Sequence, residues 1–250
     1  MSRVFLRELR NQQRLFWRSR ELAFFTFLLP IVFFLILGSA YGDEEIEGAD
    51  GYLYLLSGMI GYGAAATTFA GLALILVIRR ESGVLKRLRA TPLPGWAYIA
   101  AVLASFVFVF FIEALLLVAL GRFAFDVALP DNLVSLVLVL ALGAAAFAAL
   151  GIGLTAVVRS AEGSSAVVNA IYLPLTFISG SFFSADAFPK VLRAIAEALP
   201  LVHLIRLVRD VMVFDDQVWE HPTAVAVIAV WGVFGTVVAA RGFRWEPRER

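Results

Sequence analysis

Six long apolar runs divide this chain of 250 residues, and they constrain its fold more than any other feature. The runs are residues 22–41, 52–78, 97–120, 133–158, 166–183 and 223–240. Each can cross a hydrocarbon core of about 30 Å as an α-helix of roughly 18 residues or more. Hydrophobic residues make up 61% of the chain and charged residues only 16%, well outside the mixture usual for soluble proteins. We therefore expect an integral membrane protein.

The continuity of these runs also decides between helices and a barrel. Barrel strands alternate apolar and polar residues, and the runs lack that alternation. In lipid every backbone amide needs an internal partner, which leaves helices as the spanning structure. The sequence predicts an all-α fold over residues 1–250, formed as a single transmembrane domain with six spanning helices.

Basic residues cluster on alternate sides of the predicted spans. Residues 1–21, 79–96, 159–165 and the tail after 240 together hold 16 of the 21 lysines and arginines. Acidic residues dominate the first loop on the other side, 42–51. Because cytoplasmic loops are enriched in Lys and Arg, both termini are expected in the cytoplasm.

The leader, residues 1–21, is expected to form an amphipathic helix at the cytoplasmic interface. Its six arginines can reach lipid phosphates, while apolar residues such as Phe5 and Trp17 enter the acyl boundary. Two alternatives are a charge cluster that only fixes topology and a signal peptide cleaved near the small residues 38–40. The long charged leader and an apolar run that can cross the whole bilayer argue against cleavage.

A basic insert at residues 79–96 separates the second and third runs. Its apolar and basic residues fall on different faces of a helix: Val84, Leu85 and Leu88 against Lys86, Arg87 and Arg89. Prolines 92 and 94 then end that helix. We expect a short cytoplasmic helix that binds a soluble partner, because a loop that only fixed topology would need neither the apolar stripe nor the proline stop.

Residues 184–222 form the largest segment predicted on the outer side, with a helical pattern too weak and too charged to span. After Pro200, the side chains of His203, Arg206 and Asp210 lie close on one helix face, with Arg206 and Asp210 spaced for an i, i+4 ion pair. We expect two short helices that dip into the outer leaflet as a re-entrant hairpin packed near a central cavity. The alternative is a loop that lies on the outer surface.

Glu113 is the one carboxylate placed deep in a predicted span. Ionisable residues inside a membrane are costly, so a proton or cation relay is one interpretation. A single carboxylate without a basic partner in the membrane also fits a structural group, protonated or hydrogen-bonded to Ser105 or to another helix.

Polar residues also interrupt the fifth run, among them Asn169, Tyr172 and Pro174. A helix of this composition more often faces protein or water than lipid, because polar neighbours must satisfy the carbonyl that proline frees. Thr67 and Thr68 indicate the same, more weakly, for the second run.

Several motifs of enzymes and nucleotide-binding proteins are missing from the sequence. The chain has no G-x-x-x-x-G-K-[ST] phosphate cradle, no HExxH, no paired-carboxylate motif and no Ser/His/Asp constellation. It has no cysteine, and its two histidines argue against a zinc site. We expect no enzymatic activity and no cofactor in this chain, so any ATP and Mg²⁺ must be bound by another polypeptide. A net charge of +1 gives no reason to expect a nucleic-acid partner.

Three stretches carry a resemblance to a known family. They are R-E-x-G-x-L-K-R-L-R-A-T-P-L at 80–93, N-A-x-x-L-P-L-x-F-I-S-G-S-F-F at 169–183, and F-P, L-P-L and an arginine at 188–189, 199–201 and 206. The chain resembles the permease subunits of type-2 ABC exporters, which include drug-resistance, polysaccharide and lipid export permeases. The resemblance covers essentially the whole chain, in order and with six spans. Ser184 departs from it, because many members have proline there, and this affects how the outer hairpin begins.

The resemblance implies roles for three groups of residues. A coupling helix seated in a groove of the ATPase subunit would use Glu81, Leu85, Lys86, Arg87, Leu88 and Arg89. A substrate pathway lined by the second and fifth spans at a dimer interface would include Thr67, Thr68, Asn169, Tyr172, Phe177 and Phe182. The outer hairpin helices would include Phe188, Pro200, His203 and Arg206.

The resemblance also implies a mechanism, in which two permeases and two ATPase subunits work by alternating access. We expect a non-catalytic permease, acting as a homodimer in the lipid of a bacterial or archaeal plasma membrane, that exports an amphipathic drug-like or lipid-like molecule. A polysaccharide or glycolipid exporter is the nearest alternative, and an aromatic channel built from Tyr52, Tyr54, Tyr62 and Tyr172 would favour it. Two other classes are a proton-coupled transporter using Glu113 and a membrane-embedded enzyme. The lack of a recognisable inverted repeat and of a catalytic pair counts against them.

Overall fold

Helices form almost all of the regular structure in the computed structural model, which describes residues 2–182 and 188–247. Two very short strands, at residues 45–46 and 49–50, pair antiparallel as a hairpin that the sequence did not predict. The elements in chain order are α1 (Ser2–Arg18), α2 (Arg20–Tyr41), β1 (Glu45–Ile46), β2 (Ala49–Asp50), α3 (Gly51–Gly63), a π-helix (Ala64–Gly71), α4 (Leu72–Glu81), α5 (Val84–Arg89), α6 (Gly95–Phe125), α7 (Leu133–Leu154), α8 (Ala161–Ile178), α9 (Lys190–Glu197), α10 (Pro200–Phe214), a 3₁₀ turn (Val218–Glu220) and α11 (Pro222–Gly242).

Five continuous helices within the described residues are long and apolar enough to cross a membrane. They are α2, the continuous rod Gly51–Glu81 formed by α3, the π-helix and α4, and then α6, α7 and α11. This confirms an all-α integral membrane protein. The predicted fifth span corresponds to α8, an 18-residue helix whose apolar character is interrupted by Glu162, Asn169 and two serines. It is not among the five, so a sixth span stays a prediction, and its predicted end at residue 183 lies outside the described residues.

The rod Gly51–Glu81 is the central element of the fold. In its apolar 18-residue stretch 78% of the residues are buried, against 17% for α2 and 17% for α11. The rod contacts α2, α6, α7, α8 and α10, so the core forms around it. The peripheral helices α2 and α11 leave apolar faces that the rest of the described chain does not cover.

The amphipathic leader helix α1 packs along α6 with one face. Gln13 Nε2 donates to the carbonyl and the hydroxyl oxygen of Ser105, each at 3.0 Å, and Phe16 is buried. The leader's arginines 3, 7, 10, 14 and 18 are exposed on the remaining faces. Contact of these arginines with lipid phosphates stays a prediction.

Candidate functional site

A buried polar pair lies where the rod widens into its π-helix. Glu113 on α6 is 2% exposed, and Thr67 in the π-helix donates to its Oε2 at 2.7 Å. Gly63 makes room for the carboxylate, because a Cβ there would lie 2.5 Å from Glu113 Oε1. Of the two partners considered for Glu113, the structure thus shows one on another helix, Thr67, whereas the Ser105 hydroxyl accepts a hydrogen bond from Gln13. Wide helical turns of this kind often occur at functional sites.

An open cavity of about 240 Å³ lies beside this pair, between α2, the rod and α8. Thr67, Asn169 and Tyr172 line it together with Tyr62, and apolar side chains of α1, α2 and α6 complete the wall. The hydroxyl of Tyr172 is buried next to Tyr62, whose ring centroid lies 5.9 Å from that of Tyr172. The structure thus brings together three of the six residues predicted for a substrate pathway.

The other three pathway residues lie outside the cavity wall. Thr68 is fully buried, and its hydroxyl donates to the carbonyl of Ala64 at 2.6 Å, so its hydrogen bond lies within the π-helix. Phe177 and Phe182 contact each other with ring centroids 5.3 Å apart. Phe182 also meets Tyr62 of the cavity wall at 5.6 Å, which places an aromatic cluster next to the cavity.

The four tyrosines that could have formed an aromatic channel are divided between separate places. Tyr62 and Tyr172 face each other at 5.9 Å in the cavity. Tyr52 stacks on Phe125 at 4.6 Å, and Tyr54 lies beneath the guanidinium of Arg209. The four rings do not join into one channel.

The predicted coupling helix is α5, and its apolar stripe faces the protein's own membrane domain. Leu85 is fully buried in a cluster with Leu72, Leu76 and Tyr98, and Leu88 packs against the same cluster. Glu81, at the end of α4, accepts a hydrogen bond from Arg80. Lys86, Arg87 and Arg89 are exposed. The accessible surface of α5 is therefore basic.

The hairpin helices α9 and α10 meet through Glu197. Arg206 donates to the Glu197 carboxylate, and a ring nitrogen of His203 lies 2.9 Å from the Glu197 carbonyl oxygen. The bond from Arg206 lowers the pKa of Glu197. Arg206 turns back to α9 and binds Glu197 rather than forming a close ion pair with Asp210, although it still interacts electrostatically with Asp210. Burial raises the pKa of Asp210, which faces His221 instead.

Two further predicted hairpin residues occupy the ends of these helices. Pro200 is the first residue of α10, where a missing backbone N–H costs nothing. Phe188 is half-buried just before α9. Ser184, where the sequence departs from the family pattern, lies outside the described residues.

Sequence reasoning missed Arg209, the buried cation of α10. It is 8% exposed, lies 3.6 Å over the ring of Tyr54 and donates to Glu47 at 2.8 Å. A signal was present, because Arg209 follows the apolar Val202 and Ile205 at helical spacing and so falls on the buried face. No group of three or more His, Asp or Glu side chains among the described residues could hold a metal ion.

The comparison with known families agrees with this arrangement. The model of the ABC-2 type transporter family matches residues 4–213. The chain belongs to this family. The match confirms the resemblance to type-2 ABC permeases. As a family member, the chain is a non-catalytic transmembrane permease subunit of an ABC transporter, and the family implies an ABC ATPase as its partner.

Two relatives of this ABC-2 permease carry the name Nodulation protein J. The protein from Rhizobium leguminosarum bv. trifolii is 35% identical over 94 residues, which are 37% of this chain and 36% of that protein. The protein from Rhizobium leguminosarum bv. viciae is 36% identical over 74 residues, 30% of this chain and 29% of the relative. The matched segments thus cover well under two thirds of either relative.

Proposed function

We propose that this permease exports an amphipathic, drug-like or lipid-like molecule, driven by ATP hydrolysis in a separate ATPase subunit. The observation that carries the proposal is the cavity between α2, the rod and α8. Its apolar walls suit the apolar part of such a molecule, while Thr67, Asn169 and Tyr172 offer hydrogen bonds to its polar part. Ligand pockets generally combine an apolar lining with a few placed polar groups.

The exposed basic surface of α5, formed by Lys86, Arg87 and Arg89, is the proposed contact with the ATPase. Leu85 and Leu88 hold α5 against the membrane domain. A movement of the ATPase bound to this surface would therefore displace α5 and the rod together. The complementary groove of the ATPase is expected to be acidic. This arrangement requires both termini and α5 in the cytoplasm, which the distribution of basic residues supports. The proposed location in a bacterial or archaeal plasma membrane rests on the family resemblance.

A homodimer is proposed because the resemblance to type-2 ABC exporters implies two permeases, and because the described helices beside the cavity expose large side chains to a second copy. Phe25 and Leu29 of α2 and Ile171 and Phe177 of α8 are exposed large side chains. A second copy packed against α2 and α8 would close the cavity between two identical walls, as symmetric oligomers commonly do. Alternating access would then follow from closure of the ATPase pair, which favours one conformation over the other. Residues 1–250 would form one transporter domain.

The docking surface can be tested by charge reversal with a matched control. In the test variant Lys86, Arg87 and Arg89 are replaced by Glu, and in the control Arg7, Arg10 and Arg14 of α1 are replaced by Glu. Exposed ion pairs contribute about 0.2–1 kcal/mol each, and reversal adds repulsion, so we expect ATPase affinity to fall by roughly tenfold or more. Quantitative mass spectrometry of the complex purified in mild detergent measures this. Equal retention of the ATPase by both variants would contradict the docking assignment.

A polysaccharide or glycolipid exporter is the second candidate, favoured by the hydroxyl and amide groups in the cavity, which could bind sugar hydroxyls. Tyr52 and Tyr54 lie apart from the cavity and do not extend it into an aromatic channel. This favours the smaller amphipathic substrate. Transport assays in vesicles with the reconstituted ATPase, run with Asn169→Leu, distinguish the two candidates. Export of glycolipid but not of an amphipathic drug by the native complex, abolished by Asn169→Leu, would favour the second candidate, and the reverse would favour the first.

A further inference from the structure

Arg80 is a buried arginine whose guanidinium binds three oxygen atoms. The side chain is 1% exposed. Its Nη1 donates to the carbonyl of Thr155 at 2.8 Å and its Nη2 to the carbonyl of Val158 at 2.7 Å. Its Nε donates to Glu81 Oε1 at 2.7 Å. The planar fork of the guanidinium thus joins the cytoplasmic end of the rod to the end of α7.

The carbonyls that Arg80 binds lie where α7 has just ended at Leu154. Helix ends leave carbonyl groups without intrahelical partners, and a cation at that end is also favoured by the helix dipole. Burying a carbonyl without a hydrogen-bond donor costs free energy. Because the bonds from Arg80 avoid this cost, they hold the end of the rod in a fixed position relative to the end of α7. Lysine could not replace it, since one ammonium lacks the fork that reaches Thr155, Val158 and Glu81 together.

The junction with α5 follows Arg80 at once. Only Ser82 and Gly83 separate the rod from α5, and Gly83 turns the chain in the left-handed region, with φ of 72°. Leu85 then holds α5 against the rod. A displacement of α5 is therefore expected to move Arg80, the residue that is hydrogen-bonded to the end of α7.

Neighbouring Arg79 makes a useful contrast. It donates to Gln12 of α1 at 2.7 Å and to the Tyr98 hydroxyl at 2.9 Å. These bonds connect the rod with α1 and α6. The two consecutive arginines thus bind different helices. Of the contacts described, those of Arg79 go to α1 and α6, and those of Arg80 reach the end of α7.

We propose that Arg80 is a positioning residue for coupling, which makes α5, the inner end of the rod and the inner end of α7 move as one body. Because this inference rests on the proposed docking of an ATPase on α5, the force it transmits is that of ATPase closure. Glu81 takes part by holding the guanidinium, rather than by contacting the ATPase itself.

Spin labels measure this movement directly, and the absence of cysteine simplifies their introduction. The exposed Ala90 at the end of α5 and Val157 beyond α7 are replaced by Cys and labelled in the full complex with its ATPase. The distance between the labels is measured by electron paramagnetic resonance without nucleotide and with ATP trapped by a hydrolysis-deficient ATPase. The same measurements are made with Arg80→Lys and with Arg79→Lys as the matched control.

We expect the Ala90–Val157 label distance to be the same in both nucleotide states of the native sequence and of Arg79→Lys. In Arg80→Lys the distance should broaden and shift on trapping, and stimulation of the ATPase by the permease should fall roughly tenfold or more, the factor for losing a charge-assisted hydrogen bond. A role in stability alone would lower the melting temperature without a distance change that depends on nucleotide.

Three results would overturn parts of this reasoning in distinguishable ways. A nucleotide-dependent distance change in the native sequence refutes the single-body inference, even if Arg80→Lys does not fold. Native-like distances and stimulation in Arg80→Lys refute the role of Arg80. If the native chain binds no ATPase under conditions in which it is folded, the proposed function fails, whatever the role of Arg80.

Discussion

Replacing Arg209 by methionine tests how firmly the helix α10 is fixed to the rod. Methionine keeps much of the length of the side chain but removes its charge. In the native protein the guanidinium lies 3.6 Å from the centroid of Tyr54 and 2.8 Å from Glu47 Oε2. The side chains of Arg209 and Glu47 are 10% and 27% exposed.

The magnitude follows from these contacts. A hydrogen bond between charged groups contributes about 1.5–3 kcal/mol, and a desolvated cation over an aromatic ring about 1–2 kcal/mol. Because Glu47 is partly exposed, it can regain water when its partner is lost, which lowers the cost. We therefore expect Arg209→Met to reduce the free energy of unfolding by about 3 kcal/mol.

A double-mutant cycle isolates the ion pair. Glu47→Gln keeps an acceptor for Arg209 and leaves the Tyr54 contact in place, so it should cost about 1 kcal/mol. The double variant should cost less than the sum of the two, with a coupling energy of about 1–2 kcal/mol. Unfolding in mixed micelles with increasing dodecyl sulfate, followed by circular dichroism, supplies the free energies.

Arg206→Met is the matched control on the same helix. Arg206 also binds a glutamate, Glu197, but the two side chains are 42% and 41% exposed. An exposed pair contributes about 0–1 kcal/mol, so this variant should be close to the native protein. If Arg209→Met cost no more than Arg206→Met, the burial argument for Arg209 would be refuted.

Three further changes test the close helix packing at Gly151, the buried carboxyl group of Glu113 and the ion pair between Glu197 and Arg206. Gly151→Ala places a Cβ 2.7 Å from the carbonyl oxygen of Phe69 and should cost about 1–3 kcal/mol in the same unfolding assay, whereas Gly163→Ala meets only a side chain at 3.2 Å and should be tolerated. Glu113→Gln keeps an acceptor for Thr67, so ATP-driven transport in vesicles should persist; abolished transport with normal ATPase binding would instead support a proton-coupled mechanism. The pKa of Glu197 is lowered by Arg206, so the pair stabilises the fold above the ordinary glutamate pKa of about 4.3, and this stabilisation is lost as pH falls below it. Melting temperatures measured between about pH 6 and pH 3 should therefore fall more steeply for the native chain than for Glu197→Gln, and parallel curves would contradict this assignment.

The positions of the helices could be predicted because apolar runs in lipid have few alternatives to a helix. The apolar stripe of α5 was also visible in its spacing, but spacing alone does not tell which protein the stripe contacts. The structure places Leu85 against the chain's own rod, which leaves the basic residues for a partner.

The contacts of charged residues were less predictable. Arg80 binds backbone carbonyls of Thr155 and Val158, and every residue has a carbonyl, so no sequence pattern marks them. Arg206 had Asp210 at a favourable spacing along its own helix. The turn between α9 and α10 brings Glu197 into reach, and this contact across the turn competes successfully with the local one.

Three buried ionisable side chains connect the rod with other helices at three levels. Arg209 of α10 binds the end of the rod near Gly51, Glu113 of α6 accepts a hydrogen bond from its middle, and Arg80 extends from its end near Glu81 to α7. Apolar side chains gain little by leaving lipid for one another, so directional polar contacts largely decide which membrane helices move together. The rod, α6, the C-terminal end of α7 and α10 are therefore expected to form the rigid part of the permease. By contrast, Phe33 of α2 and Tyr172 of α8 contact the rod at Tyr62 through aromatic rings, whose contacts tolerate sliding better than a guanidinium fork does. Because α2 and α8 also border the cavity, a change in its width is expected to come from these two helices moving along the rod.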